Sequence, residues 1–234
     1  VPQLPHVARV DAVSLHHLAS VQVARLEGPP VGNGGASRGG GIRLQELNEK
    51  LFWIINTDAG KAVDGIMIAI TASGYLVGVV LLGLAAMRLY GGLNRKNVIL
   101  LTAAIVIGGG ALHLIKQNLP ADRPLGYFAE KTPPMDSLVH APFTKPHHRT
   151  FPSGHSQAAF VVATMVALMF KRHVALWFLW AALVALSRVY LGVHFPADVV
   201  AGALIGMLSA FIVFRGQGLF FTAEGAEGEK EEIK

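Results

Sequence analysis

The sequence predicts an all-α fold, a polytopic membrane bundle of about five transmembrane helices with an interfacial N-terminal helix ahead of them. Three observations predict it. Apolar residues make up 52% of the chain and charged residues only 15%, well below the roughly 25% of soluble domains. The apolar residues gather in runs of about 18 or more, the length that crosses a hydrocarbon core. The remaining polar chemistry lies at the edges of those runs, where ionisable groups in a membrane protein default to a functional reading.

Residues 1–43 read as a flexible or appended leader, with a Pro29-Pro30 pair and a glycine-rich run from Gly32 to Gly41. Val10, Val13, Leu18 and Val21 allow a weak amphipathic helix there, but no apolar run is long enough for a signal peptide or a span. In residues 44–60 the run Leu51-Phe52-Trp53-Ile54-Ile55 is too short to span. Trp53 beside Glu49 and Lys50 suits a helix lying at headgroup level. Five spans follow, over Ile66–Tyr90, Val98–Ile115, Ser156–Phe170, Val174–Tyr190 and Ala197–Phe214. Each is apolar nearly all round, as helices in lipid must be. Gly74/Gly78 and Gly202/Gly206, at four-residue spacing, and the Gly108-Gly109-Gly110 run predict close helix approach rather than ligand contact. Residues 44–215 thus form one membrane-embedded domain, and residues 216–234 an acidic tail predicted to be disordered.

The topology has a consequence for chemistry. With five spans, Arg88, Arg95 and Lys96, the Lys171-Arg172-His173 turn and Arg215 lie on one side of the membrane. Lys116, Arg123, His155, Arg188, His194 and Asp198 all lie on the other. Setting aside the cations that substrate binding would retain, the positive-inside rule puts the short loops in the cytoplasm. The expectation is a multi-pass protein of a bacterial inner membrane with its site facing the periplasm.

Composition excludes several chemistries. The chain has no cysteine, so disulfides, thiolate nucleophiles and Cys-ligated metals are ruled out. A net charge of +5 and a pI near 9.6 suit nucleic acid, anionic headgroups or phosphorylated substrates. No basic stripe interleaved with aromatics appears on a soluble segment, so no nucleic-acid partner is expected. The expected partners are the bilayer and a phosphorylated membrane lipid.

Three short stretches carry the chemistry. Lys116 follows the second span and Arg123-Pro124 lies in the loop beyond it. A guanidinium forks across two phosphate oxygens, and an ammonium acts as a compact point charge; the bland alternative is snorkelling at the membrane edge. Pro152-Ser153-Gly154-His155 precedes an apolar helix. Its hydroxyl and backbone N–H groups suit an anion at a helix N-terminus, while the plain alternative is an N-cap by Ser153. In the third stretch Arg188 lies six residues before His194, and Asp198 four after it. A carboxylate holding one ring nitrogen fixes the tautomer and raises the nucleophilicity of the other. A lone pair of this kind is also compatible with a satisfied polar contact or metal ligation.

Taken together, the stretches resemble the tripartite signature of the type-2 phosphatidic acid phosphatase family. That signature reads Lys, six residues, Arg-Pro; then Pro-Ser-Gly-His; then Ser-Arg, five residues, His, three residues, Asp. Every position is filled, and the resemblance covers roughly residues 50–215. It implies a metal-independent phosphatase that needs no cofactor and works through a phosphohistidine. By carry-over His194 is the nucleophile, Asp198 orients it, and His155 protonates the leaving oxygen and then activates water. Lys116, Arg123, Arg188, Ser153 and Gly154 bind the phosphoryl oxygens. The family commonly has six spans where five are read here, the odd segment 1–43 standing in the place of a first. His113, Lys131, Lys145, His147, His148 and Arg149 fall outside the signature; the last three either widen a cationic entrance or form a solvated loop.

Placement at the mouth of a bundle, between Trp53 and the long loop 117–150, favours a lipid phosphate. The leading expectation is lipid A 1-phosphate, with phosphatidylglycerophosphate and undecaprenyl diphosphate as alternatives that the motifs do not separate. The related vanadium haloperoxidases are soluble, which the apolar runs argue against. A non-catalytic lipid-binding or transport protein is the alternative of another class; it would need the cations but not the nucleophile and acid.

Overall fold

The computed structural model describes residues 39–218, except 120, 132, 133, 135 and 143–149. The described residues form eight α-helices and one short 3-10 turn, and no strand. The weak helix considered at Val10–Val21, the tail beyond Gly218 and the Lys145, His147, His148 and Arg149 cluster lie outside the described residues.

Helix α1, Gly39–Ile55, belongs with the first of two compact units, which ends at Ile54. It starts inside the segment read as leader. Leu44, Leu47, Leu51 and Ile54, spaced by three and four residues, form an exposed apolar face. Phe52 and Trp53 are buried, with their rings in edge contact at 5.2 Å. The leucines form the accessible apolar side of α1.

The second unit runs from Ile55. Its helices are α2 (Lys61–Ser73), α3 (Leu76–Leu89), α4 (Arg95–Asn118), α5 (Pro124–Ala129), α6 (Gly154–Phe170), α7 (Val174–Tyr190) and α8 (Pro196–Arg215). Helix α6 is central and packs against α3, α4, α7 and α8. It is buried nearly all round, with Ala158, Val161, Val162, Met165 and Val166 in one core with Leu100, Leu101, Ala104, Ala210 and Val213. The outer faces are apolar as well: Leu81, Val106, Leu114, Leu176, Leu179, Leu204, Leu208 and Phe211 are all exposed. A chain that buries small residues and exposes large apolar ones uses lipid as its solvent.

Among the described residues two helices, α4 and α8, are long and apolar enough to cross a membrane. Helices α6 and α7 are apolar but have 17 residues each, a rise of about 26 Å against a core of about 30 Å. The first expected span is not continuous. It breaks at Gly74-Tyr75 into α2 and α3, bent by 71°. Unbroken hydropathy concealed the bend; the glycines permit it. A Cβ on Gly74 would lie 2.5 Å from Val184 Cγ1, and one on Gly78 would lie 2.6 Å from the Ser73 carbonyl. Gly78 thus accommodates the bend, while Gly74 gives the close helix approach that its spacing predicts, here between α2 and α7.

Gly202 and Gly206 do bring helices together. An added Cβ would come within 2.3 Å of the Ser153 carbonyl at the first and 2.3 Å of the Gln157 carbonyl at the second. Backbone of α8 thereby lies against backbone of α6. Of the three consecutive glycines only Gly108 is tight, against Gln157 and Ser209, while Gly109 and Gly110 meet nothing. On the short-loop side, Tyr90 Oη lies 3.1 Å from His173 Nδ1 and accepts from Trp177 Nε1 at 3.3 Å. The turns after α3 and before α7 therefore share one end, as the topology required.

Candidate active site

Helix polarity delivers the three stretches to the opposite end. Lys116 is in the last turn of α4, and Arg123 is the residue before Pro124 opens α5. Ser153 caps α6, whose first residues are Gly154 and His155. Arg188 is in the last turn of α7. His194 occupies the five-residue connection to α8, and Asp198 lies in the first turn of α8. Arg188, His194, Arg123 and Lys116 all lie within electrostatic reach of the His155 ring, and Asp198 within reach of Lys116 and Arg123. The residues expected from sequence thus form one cluster.

The α7–α8 connection is built tightly. Its N–H groups at Val193 and His194 return to the Arg188 carbonyl at 3.0 and 3.2 Å. Gly192 turns the chain at φ 67°, and a Cβ there would lie 2.6 Å from the His140 carbonyl, so glycine is required twice over. Asp198 Oδ2 accepts the Phe195 N–H at 2.8 Å, closing the N-terminus of α8. The same oxygen lies 3.3 Å from His194 Nδ1. Both side chains are buried. Burial pushes the His194 imidazole down to about 4, against the opposing pull of Asp198. The ring is neutral at physiological pH, with a lone pair on one nitrogen. Burial also lowers Arg123, which Asp198 partly offsets; a guanidinium stays charged regardless.

The Pro-Ser-Gly-His turn is stapled to α8. Ser153 N–H donates to the Asp198 carbonyl at 3.0 Å, and Ser156 Oγ to the Val199 carbonyl at 2.6 Å. Ser153 Oγ accepts from Ser156 N–H at 3.5 Å and so caps α6, which uses a lone pair and not the hydroxyl's own hydrogen. In front of Gly154 a Cβ would meet nothing nearer than Leu112 Cδ1 at 4.0 Å, which leaves its backbone approachable.

Three residues that the sequence did not single out, Thr71, Tyr75 and Thr150, support the cluster. Thr71 Oγ1 accepts from Arg188 Nη1 at 2.7 Å, holding the buried guanidinium. Tyr75 packs edge-on against His155 at 4.5 Å between ring centroids. Both are delivered by the bend between α2 and α3. Thr150 Oγ1 donates to Asp198 Oδ2 and lies 3.0 Å from His194 Nδ1. Its own N–H donates to the Ala121 carbonyl at 3.0 Å, closing the long loop beside Arg123. His140 is held by Asp64 at 2.8 Å, with Tyr190 Oη donating to the same carboxylate oxygen at 2.8 Å. No sequence signal marked these residues, because each is a single side chain outside any spaced pattern. Of the outlying basic residues, His113 pairs with Gln117 at 2.9 Å, and Lys131 lies 4.5 Å from the centre of the Tyr127 ring.

Two buried nitrogens in the cluster have no hydrogen-bond partner among the described residues: Arg188 Nε and His155 Nε2. Buried polar groups are nearly always paired. These two nitrogens lie beside a neutral imidazole and further cations.

Residues 97–220, more than half of the chain, match the PAP2 superfamily. The chain belongs to that superfamily. This PAP2 chain is 32% identical over 188 residues to the putative undecaprenyl-diphosphatase YbjG of Escherichia coli, spanning 75% of this chain and 86% of that protein. A shorter match, 45% over 65 residues, reaches the bacitracin transport permease protein BcrC of Bacillus licheniformis and covers 32% of its length. Among solved structures, Aquifex aeolicus LpxE superposes with a TM-score of 0.62 at 29% identity, over 72% of this chain and 95% of LpxE. The family match spans the stretches that hold Lys116, Arg123, Ser153, Gly154, His155, Arg188, His194 and Asp198.

Proposed function

We propose that this PAP2 chain is a membrane lipid phosphatase that cleaves a phosphate ester or anhydride in two steps through a phosphohistidine. The observation that carries the reading is the pair of buried nitrogens with no partner among the described residues, Arg188 Nε and His155 Nε2, beside a buried neutral His194 whose Nδ1 is already engaged. With Nδ1 engaged, Nε2 holds the lone pair and attacks phosphorus. Lys116, Arg123 and Arg188, with the Gly154 N–H and the Ser153 hydroxyl, neutralise the phosphoryl oxygens. Phosphoryl transfer asks mainly for positioning and charge stabilisation, and the three cations supply the charge that a divalent ion supplies elsewhere. His155 donates its proton to the departing lipid oxygen. In the second step it takes a proton from water, which attacks the phosphohistidine and releases inorganic phosphate.

The substrate proposed first is a polyprenyl diphosphate, because the match to YbjG spans most of both chains. Lipid A 1-phosphate, the leading sequence expectation, is the second reading, and the basic residues of the long loop favour it. Either lipid would keep its chains in the bilayer and present its headgroup to the cluster. The inner membrane with a periplasmic site remains the proposed location, since the cations of the short loops gather on the other end. The name of the Bacillus licheniformis relative points toward transport, but a transporter has no use for a buried nucleophile paired with an acid.

The test is phosphate release by detergent-solubilised protein from undecaprenyl diphosphate, lipid A, phosphatidylglycerophosphate and phosphatidic acid, with His194→Ala as control. Release from one lipid, abolished in the variant, supports the phosphatase and selects its substrate. No release from any by folded protein would move the reading to lipid binding or transport.

A further inference from the structure

We propose that Thr150 is a positioning residue for the nucleophile. Its hydroxyl, interposed between His194 Nδ1 and Asp198 Oδ2, carries the hold of the carboxylate to the imidazole. The inference rests on His194 being the nucleophile, as argued above.

The donor count forces the arrangement. A threonine hydroxyl has one hydrogen and two lone pairs. Thr150 gives its hydrogen to Asp198 Oδ2. Toward His194 Nδ1, 3.0 Å away, it can then only accept. Nδ1 must therefore carry the proton, and Nε2 the lone pair. The direct contact from Nδ1 to Asp198 Oδ2 is 3.3 Å, longer than the contact to the hydroxyl. That carboxylate oxygen already takes the Phe195 N–H at 2.8 Å and the Thr150 hydroxyl. The imidazole is therefore held more closely through Thr150 than by the carboxylate itself.

Burial and anchoring fit the same role. Thr150 is 2% exposed, so water does not compete for its hydroxyl. Its β-branched side chain has few rotamers to choose among. Its N–H on the Ala121 carbonyl ties it to the segment that carries Arg123. A threonine retained only for packing or for closing the loop would not need its hydroxyl on both members of the His–Asp pair. The hydroxyl lies beside Nδ1 rather than Nε2, so Thr150 acts through His194 and touches no substrate.

The test compares Thr150→Val, which keeps the shape and removes the hydroxyl, with Thr150→Ser, which keeps the hydroxyl. Both are made in the full chain. For the lipid that wild type hydrolyses, Thr150→Val is expected to lower kcat about 10- to 100-fold, the worth of a hydrogen bond to a charged group. KM should stay within about twofold, because no substrate contact is lost. Thr150→Ser should stay within about threefold of wild type in both constants. A second readout needs no turnover: nitrogen chemical shifts of His194 in isotope-labelled protein. Wild type and Thr150→Ser should display the single Nδ1–H tautomer, and Thr150→Val a mixture. A Thr150→Val protein with wild-type kcat and an unchanged tautomer would overturn the proposal. So would a Thr150→Ser protein as impaired as Thr150→Val, which would assign the effect to packing. If wild type releases no phosphate, the phosphatase reading fails by itself, and the tautomer comparison still decides whether Thr150 sets the state of His194.

Discussion

Replacing Arg188 by lysine keeps the charge and removes the geometry. The guanidinium is 8% exposed, donates Nη1–H to Thr71 Oγ1 at 2.7 Å, and presents a buried Nε–H with no acceptor among the described residues. A lysine ammonium cannot bond Thr71 and also present a second, coplanar donor to phosphate. Losing one hydrogen bond to a charged group costs about 1.5–3 kcal/mol. At about 1.4 kcal/mol per factor of ten, kcat/KM should fall roughly 10- to 100-fold. The assay is phosphate release under steady-state conditions in detergent, with thermal unfolding measured in parallel to separate chemistry from folding. An Arg188→Lys protein that melts like wild type and turns over within about threefold of it would refute bidentate phosphate binding at this position.

Three further outcomes are expected. Gly206→Ala drives a methyl to 2.3 Å from the Gln157 carbonyl and should destabilise by about 1–3 kcal/mol. Gly110→Ala meets nothing within 4 Å and should be neutral or stabilising by up to about 1 kcal/mol; thermal unfolding of the two side by side checks both. Because burial holds folded His194 near 4, below its unfolded value of 6.5, the unfolded chain binds the extra proton between those values. Stability contributed by the neutral ring is fully present above 6.5 and falls as pH drops toward 4, by at most about 1.4 kcal/mol per pH unit. Denaturant titrations at several pH values should therefore display a slope that His194→Ala flattens. EDTA should leave turnover largely intact; strong inhibition reversed by a divalent ion would contradict the role given to Lys116, Arg123 and Arg188.

The cluster was legible because its residues carry fixed spacings around turn-forming prolines and glycines. Helix polarity alone brought Lys116, His155, Arg188, His194 and Asp198 to one end. What hydropathy could not reveal was geometry inside an apolar run. The break at Gly74-Tyr75 interrupts no apolar pattern, yet it delivers Thr71 to Arg188 and Tyr75 to His155. Glycine spacing was ambiguous for the same reason: Gly202, Gly206 and Gly74 each bring two helices together, while Gly78 accommodates a bend. Thr150 gave no signal, since one hydroxyl ahead of a Phe-Pro step is an ordinary loop residue until the fold sets it against Asp198.

The central claim, covalent transfer to His194, is tested most directly by rapid acid-free quenching of the full-length protein with a phosphorus-labelled lipid substrate. The expected result is a protein-bound label that is acid-labile and base-stable, maps to the peptide containing His194, and is absent in His194→Ala. Turnover with no such label, or a label that persists in His194→Ala, would contradict it.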